Sequence, residues 1–214
     1  MASSYERELQ AVFAGTEDGV KAVTRSCSEH EKTCMMKVIN RPFLVVRAPG
    51  SGREGSGDIL ALRGDICFPI EVKTNKSKKI YLSGRTRDQY DAMLEQGERS
   101  QLMPLYAHRL KGVRGDSWRI FRVETTTLNA KLSILARKIP ALPRTIHGNP
   151  MLSWDDGLPL HKFLALVCKS DADTTETKLD ISSLQRTLER ARIMTEIEKQ
   201  SHNPVDEVSA ELVP

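Results

Sequence analysis

Aromatic residues are scarce, 5% of 214, so a core of this size has to be mostly aliphatic. The four cysteines, Cys27, Cys34, Cys67 and Cys168, contain no C-x-x-C pair, and the five histidines, at 30, 108, 147, 161 and 202, show no metal-ligand spacing. A Cys/His zinc motif is therefore excluded. Cys67 alternates with apolar neighbours and is expected to be a small buried hydrophobe. No apolar run approaches the roughly 20 residues that span a bilayer, and the first residues lack a basic-then-apolar signal segment. These absences lead us to expect a cytoplasmic chain with reduced thiols. The glycines at 50, 52, 55 and 57 are not followed in register by Gly-Lys-Ser/Thr, which excludes a phosphate-binding P-loop. No internal repeat is visible.

What the chain does have is length for one domain plus extensions, or at most two small domains. It also has an uneven charge distribution. The formal net charge is only +4, but between Arg41 and Tyr90 ten Lys and Arg face five Asp and Glu. A local excess of cations favours a polyanionic partner.

Inside that basic stretch lies the most specific pattern. Asp58 stands at the head of an apolar strand, Ile59-Leu60-Ala61-Leu62. After the turn Arg63-Gly64-Asp65 a return strand, Ile66-Cys67-Phe68-Pro69-Ile70, ends in Glu71-Val72-Lys73. Side chains alternate with period two along a strand, so Glu71 and Lys73 share a face, and the hairpin brings Asp58 beside them. Two carboxylates suit a hard divalent cation, and a lysine beside them suits a water or a phosphate oxygen. That combination is what metal-assisted phosphodiester hydrolysis needs. Val72 is expected in the core, with its carbonyl available as a further ligand.

Around this hairpin, Tyr5 to Phe13 has a helical stripe with Ser3 or Ser4 as its cap. Short helices are expected around Val20 to Val23 and from Glu31 to Asn40. A strand is expected from Phe43 to Arg47, then a Gly/Ser-rich loop from Ala48 to Gly57. A helix capped by Thr86 or Ser83 should run through Tyr90 and Leu94, followed by strands from Leu102 to Leu110 and from Trp118 to Val123. Further on, the sequence predicts a helix within 125–138, an extended connector from Ile139 to Pro150, a strand from His161 to Cys168 and a long helix from Ile181 to Gln200. The acidic tail 201–214 should be disordered. Trp118, Phe121 and Tyr106 read as core or interface groups.

Taken together, Tyr5-Glu6-Arg7-Glu8-Leu9, the loop Val45-Val46-Arg47-Ala48-Pro49-Gly50-Ser51-Gly52, the segment Gly57-Asp58-Ile59-Leu60-Ala61, and Glu71-Val72-Lys73 resemble the archaeal Holliday-junction resolvases. The likeness continues through Lys79-Ile80-Tyr81-Leu82 and Gln89 into the next two strands, over roughly residues 3–124, with a weaker echo at Leu152 to Gly157. It implies an α/β, restriction-endonuclease-like fold of the PD-(D/E)xK class, a central mixed β-sheet flanked by helices. It also implies Mg2+ as cofactor, with Mn2+ as a substitute, and a homodimer acting on branched DNA in recombination and repair, in the nucleoid. Residues 15–40 are longer than the family pattern and form a helical insertion. Residues 125–200 form a strand-helix extension packing on the core of 1–124.

The resemblance gives Glu6 a place at the active site as an additional ligand, although a helix N-terminus also favours an acidic residue through its dipole. Asp58, Glu71, Glu6 and Lys73 are the catalytic set, the three carboxylates holding the metal. Arg7, Arg47, Ser51 and Arg53 are candidates for phosphate near the cut. Lys76, Lys78, Lys79, Arg85 and Arg87 are candidates for sequence-independent backbone contacts, and Gln89 is a weaker candidate near the site. The function expected is paired, symmetric, Mg-dependent cutting of a four-way junction. Two readings stay open beside it: another PD-(D/E)xK repair or restriction-like nuclease, and a junction-binding protein without activity.

Overall fold

The computed structural model describes residues 3–47 and 57–169. Ser51 and Arg53, the expected helix 181–200 and the tail 201–214 lie outside the described residues. Three helices open the chain: α1 (Ser4–Phe13), α2 (Glu17–Thr24) and α3 (Glu29–Asn40). Ser3 caps α1 by accepting the Glu6 N–H, and Ser28 with Glu31 forms a full capping box on α3.

Strands β1 (Leu44–Arg47), β2 (Ile59–Arg63) and β3 (Ile66–Asn75) follow. A crossover through β4 (Lys79–Tyr81) and α4 (Arg85–Ser100) leads to β5 (Leu105–Leu110) and β6 (Trp118–Arg122). The remainder is α5 (Ala130–Ala136), β7 (Met151–Ser153), a single 3-10 turn at Trp154–Asp156, β8 (Leu158–Pro159) and α6 (Leu160–Val167). The main sheet has the order β1-β2-β3-β5-β6-β8. Among the described strands of this sheet only β3 and β5 are parallel, joined by the crossover that such a pair needs. β4 pairs with β7 in a separate two-stranded sheet.

Period-two alternation divides the sheet into two faces. Ile59, Ala61, Phe68, Ile70, Leu105, Ala107 and Ile120 pack in one cluster with Leu9, Val12 and Phe13 of α1, Met35 and Val38 of α3, and Phe163 and Leu164 of α6. The opposite face puts Tyr106, Phe121 and Val123 against Tyr90 and Met93 of α4, with Leu82, Leu142 and Leu152. The few aromatics are concentrated here. All five phenylalanines are buried, and Phe13, Phe43, Phe68 and Phe163 touch in turn with ring centroids 5.5–6.1 Å apart. The core is therefore aliphatic by number but keyed by aromatic contacts. Tyr106, Trp118 and Phe121 are fully buried core residues.

Pro69 sits inside a central strand, where it would normally forfeit a ladder bond. Ile70 turns its carbonyl toward β2, where it accepts the Asp58 N–H, so the neighbouring Pro69 faces the other way. On that side the β5 pairing begins only at Ile70, opposite Leu105. The missing N–H therefore costs no ladder bond.

Four expectations change. His161 to Cys168 is not a strand but belongs to α6: Leu160, Phe163, Leu164 and Val167 recur at helical spacing and are all buried. Neither Thr86 nor Ser83 caps α4. Gly84, at φ 50°, takes the cap position, while Thr86 Oγ1 accepts from the Ser83 N–H. Cys67 is half-buried rather than buried. The connector 139–150 is not simply extended, because Thr145 to Asn149 closes a tight turn. β8 joins the main sheet and α6 packs on α3, so the first compact unit runs to Cys168. Among the described residues no helix is long and apolar enough to cross a membrane.

Candidate active site

The site grows out of the hairpin β2–β3. Gly57 precedes it with φ +70°, and a Cβ there would lie 2.7 Å from the Ile70 carbonyl oxygen. Only glycine lets the two strands approach this closely. The next residue, Asp58, donates its N–H to Ile70 O at 2.9 Å, and its Oδ2 accepts the Val72 N–H at 2.8 Å. Asp58 thereby sits beside the Glu71-Val72 segment of β3, close enough for the Glu71 charge to act on it. Gly57→Ala is accordingly expected to cost about 1–3 kcal/mol of stability and to lose activity by displacing Asp58, as thermal melts and cleavage assays would show.

β3 continues through Glu71 and Lys73 to Asn75, so the Glu-x-Lys segment lies within a strand rather than at its end. Glu71 is 6% exposed. A buried carboxylate needs a partner, and Lys73 Nζ donates to its Oε1 at 2.8 Å. The same ammonium donates to Gln89 Oε1 on α4 at 3.0 Å, which fixes Lys73 between strand and helix. Burial, and secondly the charge of Glu71, push the Asp58 carboxyl up to about 6 against the opposing pull of the Val72 N–H. Neighbouring carboxylates that repel one another in this way are completed by positive charge.

The parallel β3–β5 register adds two residues that the sequence reading missed. Tyr106 lies beside Glu71, and His108 lies beside Lys73. Both are fully buried, and neither the Tyr106 hydroxyl nor the His108 ring has a hydrogen-bond partner among the described residues. Burial, then Glu71, hold the Tyr106 hydroxyl well above its usual range, while burial drives His108 down to about 4. Both are therefore neutral walls of the site at physiological pH. Only the strand order could have identified them, since local spacing carries no sign of a parallel partner.

Glu6 and Arg7 arrive from α1, which packs against the opposite face. Glu8 anchors that helix by accepting from Arg109 Nε at 2.8 Å and Trp118 Nε1 at 2.9 Å. Glu6 lies 3.9 Å from Arg47 Nε at the end of β1, and its charge acts on Asp58. Among the described residues, however, no three His, Cys, Asp or Glu side chains converge closely enough to hold a metal ion. Asp58 and Glu71 are the neighbouring carboxylates of the hairpin, and the charge of Glu6 reaches Asp58 from α1. A pair fits a hard cation of the magnesium type, which takes one or two carboxylates and keeps other oxygens around it.

The outer cations differ in their engagement. Arg7, Lys76, Lys79 and Arg85 are exposed, and their charged groups pair with nothing among the described residues. Lys78 pairs with Asp155, and Arg87 pairs with Asp91 while donating to Asn149. Surface pairs of this kind are weak.

A solved structure of Hjc, a Holliday junction resolvase from Archaeoglobus fulgidus, is 21% identical, with 63% of this chain and 97% of that one covered and a TM-score of 0.41. No curated protein matches. The family model of the archaeal Holliday junction resolvases (Hjc) matches residues 23–140, just over half of the sequence and including Asp58, Glu71 and Lys73. The chain belongs to the archaeal Holliday junction resolvase family.

Proposed function

We propose that this chain resolves four-way DNA junctions by Mg-dependent hydrolysis, cutting two equivalent strands symmetrically as a homodimer. The observation that carries this reading is that Asp58, Glu71 and Lys73, two carboxylates and an ammonium, lie beside one another in a chain of the resolvase family. Asp58 and Glu71 are the residues that would hold the cation, with Glu6 and the Val72 carbonyl beside them. A bound divalent cation would polarise the phosphate and acidify water near it. Lys73, held by Glu71 and Gln89, orients the attacking water and offsets the negative charge that builds on the phosphate. Tyr106 and His108 keep the floor of the site dry and uncharged. Arg7 and Arg47, with Ser51 and Arg53 of the loop, grip the phosphates flanking the cut, and Lys76, Lys79 and Arg85 hold the arms. A two-fold dimer matches the two equivalent strands of a junction.

Cation binding needs an ionised Asp58, so protons compete with it as pH falls through about 6. The Mg2+ concentration for half-maximal cleavage is expected to rise about tenfold per pH unit below that point, and a pH-by-metal titration of cleavage rates measures it. Substrate choice is tested by competition in EDTA. An immobile four-way junction should displace labelled junction at far lower concentration than linear duplex or a flap. Equal displacement by duplex would point to a different nuclease of the same fold.

A further inference from the structure

The turn at Thr145 to Asn149 has no part in the chemistry, yet it is built with care. Thr145 N–H donates to Asn149 O at 2.8 Å and Gly148 N–H returns to Thr145 O at 2.9 Å. Gly148 takes φ +77°, Arg144 Nη1 donates to Gly148 O, and Met151 N–H closes the stem on Pro143 O. This self-bonded hairpin holds up an isoleucine: Ile146 is 97% exposed. A single exposed aliphatic side chain is ordinary by itself; what distinguishes Ile146 is that a hydrogen-bonded turn presents it beside a cleft.

The surroundings of the tip indicate its partner. The hairpin borders a cleft of about 550 Å³ lined by Lys79, Tyr81, Arg144 and His147 as well as Ile146, with no carboxylate in its wall. Tyr81 is 60% exposed, and the charged group of Lys79 pairs with nothing among the described residues. Arg144 pairs with Glu124 at 3.8 Å, an exposed ion pair of the weak kind. Cations, a tyrosine face and an apolar tip together match a nucleic-acid strand, whose phosphates take the cations and whose unstacked bases take the ring and the wedge. The cleft is also tied to the proposed site. Arg87 Nη1 donates to Asn149 Oδ1 at 3.1 Å, and two residues further along α4 Gln89 holds Lys73.

We propose that the hairpin Arg144–Pro150 enters the DNA branch beside the cut strand, Ile146 separating bases at the crossover and Tyr81 receiving the unstacked base, with Lys79 and Arg144 on the flanking phosphates. This rests on the junction-resolving reading above and specifies how the branch is held.

The test uses the full chain in EDTA with an immobile four-way junction carrying 2-aminopurine at the branch, whose fluorescence rises on unstacking. Binding of the unmodified protein should raise the signal. Ile146→Ser should abolish the rise at saturating protein, Tyr81→Ala should reduce it, and Ile134→Ser, an exposed isoleucine on α5 away from the cleft, should leave it intact. A full rise with Ile146→Ser would overturn the wedge while leaving junction resolution standing. A halved particle mass for Ile146→Ser would make the tip a contact between copies and also overturn it. Failure of the unmodified chain to bind the junction would overturn the function and the wedge together.

Discussion

Lys73→Ala should lower junction cleavage about 10²–10³-fold, the loss typical when one preorganised electrostatic contact to a developing charge is removed, while junction binding persists. Lys73 Nζ has two fixed acceptors, Glu71 Oε1 and Gln89 Oε1. Its position is therefore set before any substrate arrives, and its removal acts on rate more than on affinity, which many backbone phosphates share. The same substitution leaves Glu71 buried without its cation, next to Asp58. Stripping a buried pair of one partner is costly, and with Lys73 partly open to solvent the expected loss is about 2 kcal/mol. Single-turnover cleavage, gel-shift affinity and a thermal melt separate the three effects. Binding lost in parallel with cleavage would make Lys73 a DNA anchor instead.

Asp58→Asn should have opposite effects on activity and on stability. Its folded carboxyl titrates at about 6, above the ordinary 3.8. The folded chain therefore binds the proton more tightly than the unfolded one. That contribution is present at low pH and is lost as pH rises through the interval from about 4 to 6. At pH 7.5 without metal the ionised Asp58 is a burden on the fold, of about 1–2 kcal/mol once solvent screening of a half-buried group is allowed for. Asparagine keeps an acceptor for the Val72 N–H and removes the charge. Cleavage should vanish, and the melting temperature in EDTA should rise. Added Mg2+ should then raise the melting temperature of the unmodified chain but not of the variant. A lower melting temperature for Asp58→Asn in EDTA would show that the charge serves the fold.

The parts of this site that could be read in the sequence are the local ones. Glu71 and Lys73 share a face because a strand has period two, and Asp58 meets them because the hairpin turn is short. The parts that were hidden depend on distant pairing. Tyr106 and His108 join the site only through the β3–β5 register, and Glu8 becomes an anchor only when α1 meets Arg109 and Trp118. Gln89 was suspected, and the structure places it against Lys73. The α6 segment was misread because a short apolar run of eight residues suits either a strand or a buried helix, and its helical spacing decides the matter only once α3 is available to pack on it. The Gly84 cap was missed because a glycine with positive φ leaves no side-chain signal.

The most direct test of the account is cleavage of an end-labelled immobile four-way junction with Mg2+, the unmodified chain beside Asp58→Asn at protein concentrations where both bind. The unmodified chain should make paired cuts at symmetry-related positions of two opposing strands, and the variant should leave the junction bound and intact. Cuts that persist with Asp58→Asn, or a bound junction that the unmodified chain never cuts, would contradict it.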